Sequence, residues 1–294
     1  MNLQPAAPLS AGARRRWKHY FYGTTYLATV FELLSGRRRT PLEKYLFTNL
    51  SALACFFDDL TDTFPPRDDA GARWQGNPEQ YGRAADESGL ALHLLHNIYR
   101  ALPPADLPAF QQILHRVFQI ETAGRQHGGA ARDLDALSRL TADKGGYSVL
   151  LFRRLMAHPL TAAEEQALWT FGALVQHCDD LFDIWFDRQN GIATPATVLT
   201  TNNDLTALER RFEQQVSATA AAFRQTEYPD RHIETALQAV YFLVGITRVC
   251  VQHYRYLQKK HGTLPLDDRR AMVVDMGRWP NRWRAACQIW KAGG

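Results

Sequence analysis

Residues 161–187 read TAAEEQALWTFGALVQHCDDLFDIWFD, and this stretch decides the class of fold. Thr161 followed three residues later by Glu164 is a capping box, in which a hydroxyl and a carboxylate satisfy backbone N–H groups left unpaired at a helix start. No proline follows within the stretch, and the spacing predicts one helix running unbroken through Asp179, Asp183 and Asp187. Residues four apart project from one face, so these three form a wall of carboxylates, with Asp180 beside it. Phe182, Ile184, Trp185 and Phe186 set the acids in an apolar run, unlike the polar face on which solvated charges usually sit.

The same spacing occurs earlier, in Asp58-Asp59-Leu60-Thr61-Asp62 after Phe56-Phe57. Like charges this close repel, and in apolar surroundings they persist only with a cation between them or with raised pKa values. Carboxylate oxygens suit hard divalent ions, and Mg²⁺ in particular is usually held by a few carboxylates together with substrate phosphates. Two such walls therefore imply a metal–diphosphate site.

Outward from these rows the chain reads as helix throughout, with strand alternation nearly absent. A helix is predicted over 14–34, stopping at Gly36. Thr40-Pro41-Leu42-Glu43 is a second capping box, opening a helix that carries 52–62 until Pro65-Pro66 ends it. Residues 63–80 read as a long loop of the kind that forms lids. Further helices are expected over 81–101, 106–126, 131–157 (interrupted or kinked at Gly145-Gly146), 204–226, 231–260 and 267–291. The fold class is all-α, a single-domain helical bundle over 1–294, with residues 1–13 a flexible tail.

Composition narrows the partners. With 294 residues, 46% hydrophobic and 11% aromatic, there is material for a large core and for a ring-lined cavity. A net charge of +4 with scattered basic residues argues against a dedicated nucleic-acid binder. The cysteines Cys55, Cys178, Cys250 and Cys287 lie far apart without metal spacing, as expected of buried free thiols in a reducing compartment. No signal-peptide pattern and no uninterrupted apolar run long enough to span a bilayer is read, so the expected location is cytoplasmic.

These features together resemble the class I terpenoid synthase superfamily, which includes trans-prenyl diphosphate synthases, squalene and phytoene synthases and terpene cyclases. Asp58, Asp59 and Asp62 match its first metal-binding motif. Asp179, Asp180, Asp183 and Asp187 match the second, and Gln176-His177-Cys178-Asp179-Asp180 resembles the Q-x-x-D-D of prenyltransferases. The similarity covers 36–256. It implies a central active-site cavity and three Mg²⁺ ions, with Mn²⁺ able to substitute, held between the motifs around the diphosphate of a prenyl substrate. It also implies basic groups facing that diphosphate, for which Arg139, Lys144, Arg248 and Arg255 are the candidates, with Arg132 competing with Arg139. Arg255-Tyr256 resembles the Arg-Tyr pair of cyclases, and Leu140-to-Gly146 is similar to a K-T-G stretch of prenyltransferases. Arg248, Gln252 and Arg255 fall on one stripe of an apolar helix.

An allylic cation needs a dry cavity walled by aromatic faces, for which Phe56, Phe57, Phe182, Trp185, Tyr241, Phe242 and Tyr254 are candidates. Gly36-Arg37-Arg38-Arg39-Thr40-Pro41 resembles the isopentenyl diphosphate pocket of chain-elongating enzymes but stands close to Asp58. The expected activity is thus a lyase of the terpene synthase type, acting on a farnesyl- or geranylgeranyl-class diphosphate. A trans-prenyltransferase, elongating or condensing head to head as in squalene and phytoene synthesis, is the alternative. A catalytically silent helical binding protein is the non-enzymatic one, and a homodimer is compatible with each.

Overall fold

A computed structural model describes the backbone of residues 11–63, 87–126, 133–277, 279 and 281–285, and the side chains of 17, 18, 20–55, 90–121, 133–277, 279 and 281–285. The helices are α1 (Ala11–Ser35), α2 (Pro41–Thr63), α3 (Glu87–Ala101), α4 (Leu107–Gln126), α5 (Leu134–Arg153), α6 (Ala162–Phe182), α7 (Ile184–Gln189), α8 (Pro195–Thr201), α9 (Leu205–Arg224), α10 (Asp230–His261) and α11 (Arg269–Met272). No strand occurs among the described residues, so the protein is all-α. Contacts group it into two compact units: Met1–Glu32 with Gly36–Thr122 and Leu151–Pro159, and Leu33–Ser35 with Ala123–Leu150 and Leu160–Gly294.

In the first unit α2 packs on α3. Leu46, Leu50 and Leu53 recur at helical spacing and are buried, as are Leu94, Leu95 and Ile98 opposite them in sequence pattern. Full burial of each such side chain contributes ~1.5–3 kcal/mol. Phe47 joins the layer to Phe152 at 5.5 Å and to Phe31 at 6.3 Å. The start of α2 is the expected capping box: Thr40 Oγ1 accepts from Glu43 N at 3.2 Å and Glu43 accepts from Thr40 N at 2.6 Å. Glu43 is buried and also accepts from Ala157 N at 2.8 Å and from Arg37 at 3.2 Å. Burial alone pushes its pKa up; the Ala157 and Thr40 bonds and Arg37 outweigh that and hold it below the ordinary carboxylate value. Arg153, also buried, donates to the carbonyls of His158 and Pro159, so the turn after α5 is fastened from both sides.

In the second unit α6 packs against α7, α8, α9 and α10. Its buried face is Leu168, Phe171, Leu174, Cys178 and Leu181; Phe171 meets Phe223 of α9 edge to face at 6.0 Å. Cys55, Cys178 and Cys250 are buried free thiols. α10 is long and apolar enough to cross a membrane by length and composition, with half of its most apolar window buried, as core helices also are.

Three expectations are corrected. The 162–187 helix ends at Phe182 and restarts at Ile184, with Asp183 at φ −99° and ψ 8° between them. Gly145-Gly146 does not interrupt α5, because the missing side chains serve a close helix crossing described below. The 267–291 helix is interrupted: α11 gives way to irregular backbone over 273–277 and helix returns at 279 and 281–285, with 286–291 outside the described residues; Asp268 caps α11, while β-branched Val273 sits extended and ends it. α7 is the far part of the expected 162–187 helix, whereas α8 is an addition, and its Thr194-Pro195-Ala196-Thr197 capping box was there to be read. Gly36 does stop α1, at φ 66°, a left-handed conformation that glycine adopts without a Cβ clash. The 64–80 part of the expected lid and residues 1–10 of the expected tail lie outside the described residues, whereas 11–13 already belong to α1.

Candidate functional site

The second acidic row lies at the end of α6. At the start of that helix, Thr161 Oγ1 accepts from Glu164 N at 3.2 Å, which is the forward half of the capping box. Glu164 instead accepts from the Tyr228 hydroxyl at 2.8 Å, tying α6 to the segment before α10.

What brings partners to the acids is glycine. A Cβ on Gly172 of α6 would overlap the Gly145 carbonyl oxygen of α5, and a Cβ on Gly146 would overlap the Trp169 indole. Only hydrogen fits there, and the two helix backbones touch. One turn along α5 from this contact, Thr141 Oγ1 donates to Asp180 Oδ2 at 3.1 Å. Gln176 donates from its amide to Asp179 at 3.1 Å and to Asp180 at 3.0 Å. Thr141 and Gln176 are thus part of the site; the i, i+4 relation of Gln176 to Asp180 was visible in sequence, the Thr141 contact was not.

All four carboxylates are harder to ionise than usual. Asp180, buried, rises to about 6 through desolvation and the neighbouring Asp179, despite the Gln176 and Thr141 bonds and Lys144. Asp183 rises to about 6 through desolvation and Asp179. Asp187 rises to about 7 through desolvation and then Asp180, Asp183 and Asp179, with Lys144 opposing. Asp179 is raised by desolvation although it is solvent-exposed, and Lys144 and Gln176 pull it down. High protein density around an accessible side chain is what a recess produces. Mutual repulsion among the four puts them on a common side of the break, with Lys144 close by.

The break has a partner on α10. In an unbroken helix the Leu181 carbonyl would accept from Trp185 N–H; here it accepts the Tyr254 hydroxyl at 3.0 Å and the Cys250 thiol at 3.6 Å. Helical hydrogen bonds nevertheless run from Asp183 N to Asp179 O at 2.9 Å and from Asp187 N to Asp183 O at 2.8 Å, preserving the four-residue spacing of the wall.

The expected basic groups divide. Lys144 faces the row, while Arg139 is solvent-exposed on α5. Arg248 makes a two-point ion pair with Glu213 of α9, at 2.9 and 2.7 Å, and Arg255 pairs with Glu209. Glu209 and Glu213, four apart on α9, are the complement of Arg248 and Arg255, seven apart on α10, a pairing set by the packing of the two helices. Tyr256 and Phe242 are exposed, Tyr254 is buried, and Phe182 and Tyr241 are partly buried. Trp185 packs on Phe186 at 5.1 Å, and the Arg269 guanidinium lies over both rings at 5.6 and 5.5 Å. Arg188 and Leu264 to Arg270 line a shallow recess that includes none of the four acids. The pKa of His177, the residue between Gln176 and Cys178, is driven down to about 4 by burial and by Arg211, and its ring lies 6.0 Å from Phe212.

Asp58, Asp59 and Asp62 stand in the last turns of α2; their side chains, with those of Phe56 and Phe57 and all of Arg132, lie outside the described residues. Among the described residues no group of three His, Cys, Asp or Glu side chains is arranged to hold a metal ion. The donor chemistry of the row nonetheless fits a hard divalent cation, since it offers only oxygen ligands and its crowding is relieved by positive charge. No protein-family model, no curated protein and no solved structure matches the chain.

Proposed function

We propose that the protein is a class I terpene synthase that ionises a linear prenyl diphosphate of the farnesyl or geranylgeranyl class, lets the allylic cation cyclise or be quenched, and releases diphosphate. The observation that carries this reading is the row Asp179, Asp180, Asp183 and Asp187, in which desolvation and mutual repulsion lift Asp180, Asp183 and Asp187 to about 6, 6 and 7, beside Lys144. With Asp58, Asp59 and Asp62 these residues would hold Mg²⁺, whose positive charge stabilises the negative charge developing on a leaving diphosphate. Lys144 adds fixed positive charge next to the row. Gln176 and Thr141 hold Asp180 in one rotamer, so that part of the geometry is set before substrate arrives.

Chain elongation needs a second diphosphate pocket built from free cations. Arg37 and Arg39 of the Gly36-to-Pro41 stretch are engaged instead with Glu43 at 3.2 Å and Glu32 at 2.8 Å, which favours a synthase without extension. The all-aspartate second row, with its Gln176 bond, favours the prenyltransferase as second reading. Incubation of the purified protein with Mg²⁺ and farnesyl or geranylgeranyl diphosphate, read by gas chromatography and diphosphate release, tests the choice. Terpene hydrocarbons or alcohols are expected. Longer prenyl diphosphates formed only with isopentenyl diphosphate would select the prenyltransferase, and calorimetry without Mg²⁺-dependent diphosphate binding would select the silent helical protein.

A further inference from the structure

The segment after α11 carries chemistry that the acidic row does not use. Residues 278–294 read RWPNRWRAACQIWKAGG, with four cations and no acidic side chain. That charge equals the net +4 of the whole chain, so the remaining 1–277 are balanced. Within the segment Trp279 and Trp283 are 74% and 63% exposed, and Arg282 and Arg284 are exposed beside them. The short helical turn of 281–285 is nonetheless fastened to the second unit. Asn281 donates to the Asp275 carbonyl at 2.9 Å, Arg282 donates to the Met276 carbonyl at 3.1 Å, and Ala285 is buried. The turn therefore buries one small residue and leaves Arg282, Trp283 and Arg284 exposed, with the exposed Trp279 four positions before Trp283.

We propose that Trp279, Trp283, Arg282 and Arg284 form a docking patch for the surface of an anionic lipid bilayer. Indoles favour the headgroup region, where the ring is apolar and the N–H stays hydrated, and arginines favour the negative surface potential. An apolar-plus-cationic patch on a fastened turn meets both demands of peripheral binding, which buried apolar area and electrostatic attraction share. Single-stranded nucleic acid also stacks its bases on aromatic rings, but along a basic groove that tracks its backbone, and two exposed arginines beside two indoles are a small patch instead of a groove.

The full chain is mixed with phosphatidylcholine vesicles, with or without phosphatidylglycerol, and bound protein is separated by flotation. Flotation with the phosphatidylglycerol vesicles is expected, weakened about tenfold or more in Trp279→Ala/Trp283→Ala and about fivefold in Arg284→Gln, and weak for the wild type on phosphatidylcholine alone. Quenching of wild-type tryptophan fluorescence by brominated lipid supplies a reading independent of any variant. The proposal is overturned if the wild type does not float, if the double tryptophan variant floats as well as the wild type, if brominated lipid quenches nothing, or if the chain binds an RNA homopolymer while ignoring vesicles.

Discussion

Gly172→Ala puts the close crossing of α5 and α6 to the test. In the structure the added Cβ would stand 2.7 Å from the Gly145 carbonyl carbon and 2.8 Å from Gly146 Cα, and would overlap the Gly145 carbonyl oxygen. Carbon contacts normally settle at about 3.5–4.0 Å, so the helices must part by roughly 1 Å. Every obstructing atom is backbone, and no side-chain rotation relieves the clash. Overpacking of this kind costs ~1–3 kcal/mol, and the upper end applies because neither partner is flexible. Alanine returns ~1 kcal/mol through its better helix propensity, leaving a net loss of about 1–2 kcal/mol. The same parting would stretch the Thr141–Asp180 bond of 3.1 Å beyond hydrogen-bonding range, so the site should suffer along with the fold. Urea denaturation followed by circular dichroism measures the first effect. Gly23→Ala on α1, whose Cβ meets nothing within 4 Å, is the internal control and should stabilise by up to ~1 kcal/mol. If Gly172→Ala were as stabilising as Gly23→Ala, propensity alone would govern both positions and the crossing would not be as close as argued.

Asp183→Ala and Asp58→Ala should each lower turnover of farnesyl or geranylgeranyl diphosphate by orders of magnitude at saturating Mg²⁺ while melting no lower than wild type, since each deletion relieves repulsion; full activity in either variant would remove that motif from the metal assignment. Asp180, Asp183 and Asp187 have folded pKa values raised from 3.8 to about 6, 6 and 7, so the folded state binds more protons than the unfolded between these limits. Their contribution to stability is then present at low pH and lost as pH rises from about 4 to 7, and the melting temperature without metal should fall across that window. Mg²⁺ should restore more of it at pH 8 than at pH 5; equal gains at both would argue against binding by the row. Glu43→Ala leaves Thr40 N, Ala157 N and Arg37 without their buried acceptor and should cost ~3 kcal/mol in urea denaturation, against which an unchanged midpoint would count.

The amino-acid order by itself determined what depends on neighbours within a turn. Thr40 with Glu43, Thr161 ahead of Glu164 and Gly36 after Ser35 mark helix ends because the groups that satisfy the terminal N–H and C=O, or permit a left-handed residue, are three or fewer positions away. The four-residue spacing of Asp179, Asp183 and Asp187 was legible for the same reason, and it survives the helix break because two helical hydrogen bonds span it. Tertiary structure decided everything that rests on a partner from another helix. Whether Gly145-Gly146 bends a helix or admits one depends on Gly172 and Trp169; whether α6 continues past Phe182 depends on Tyr254 and Cys250 competing for one carbonyl; whether Arg248 and Arg255 await an anion or hold Glu213 and Glu209 depends on how α9 lies against α10. The raised pKa values belong there too, because desolvation, their largest cause, is a property of the packed surroundings and of no residue alone.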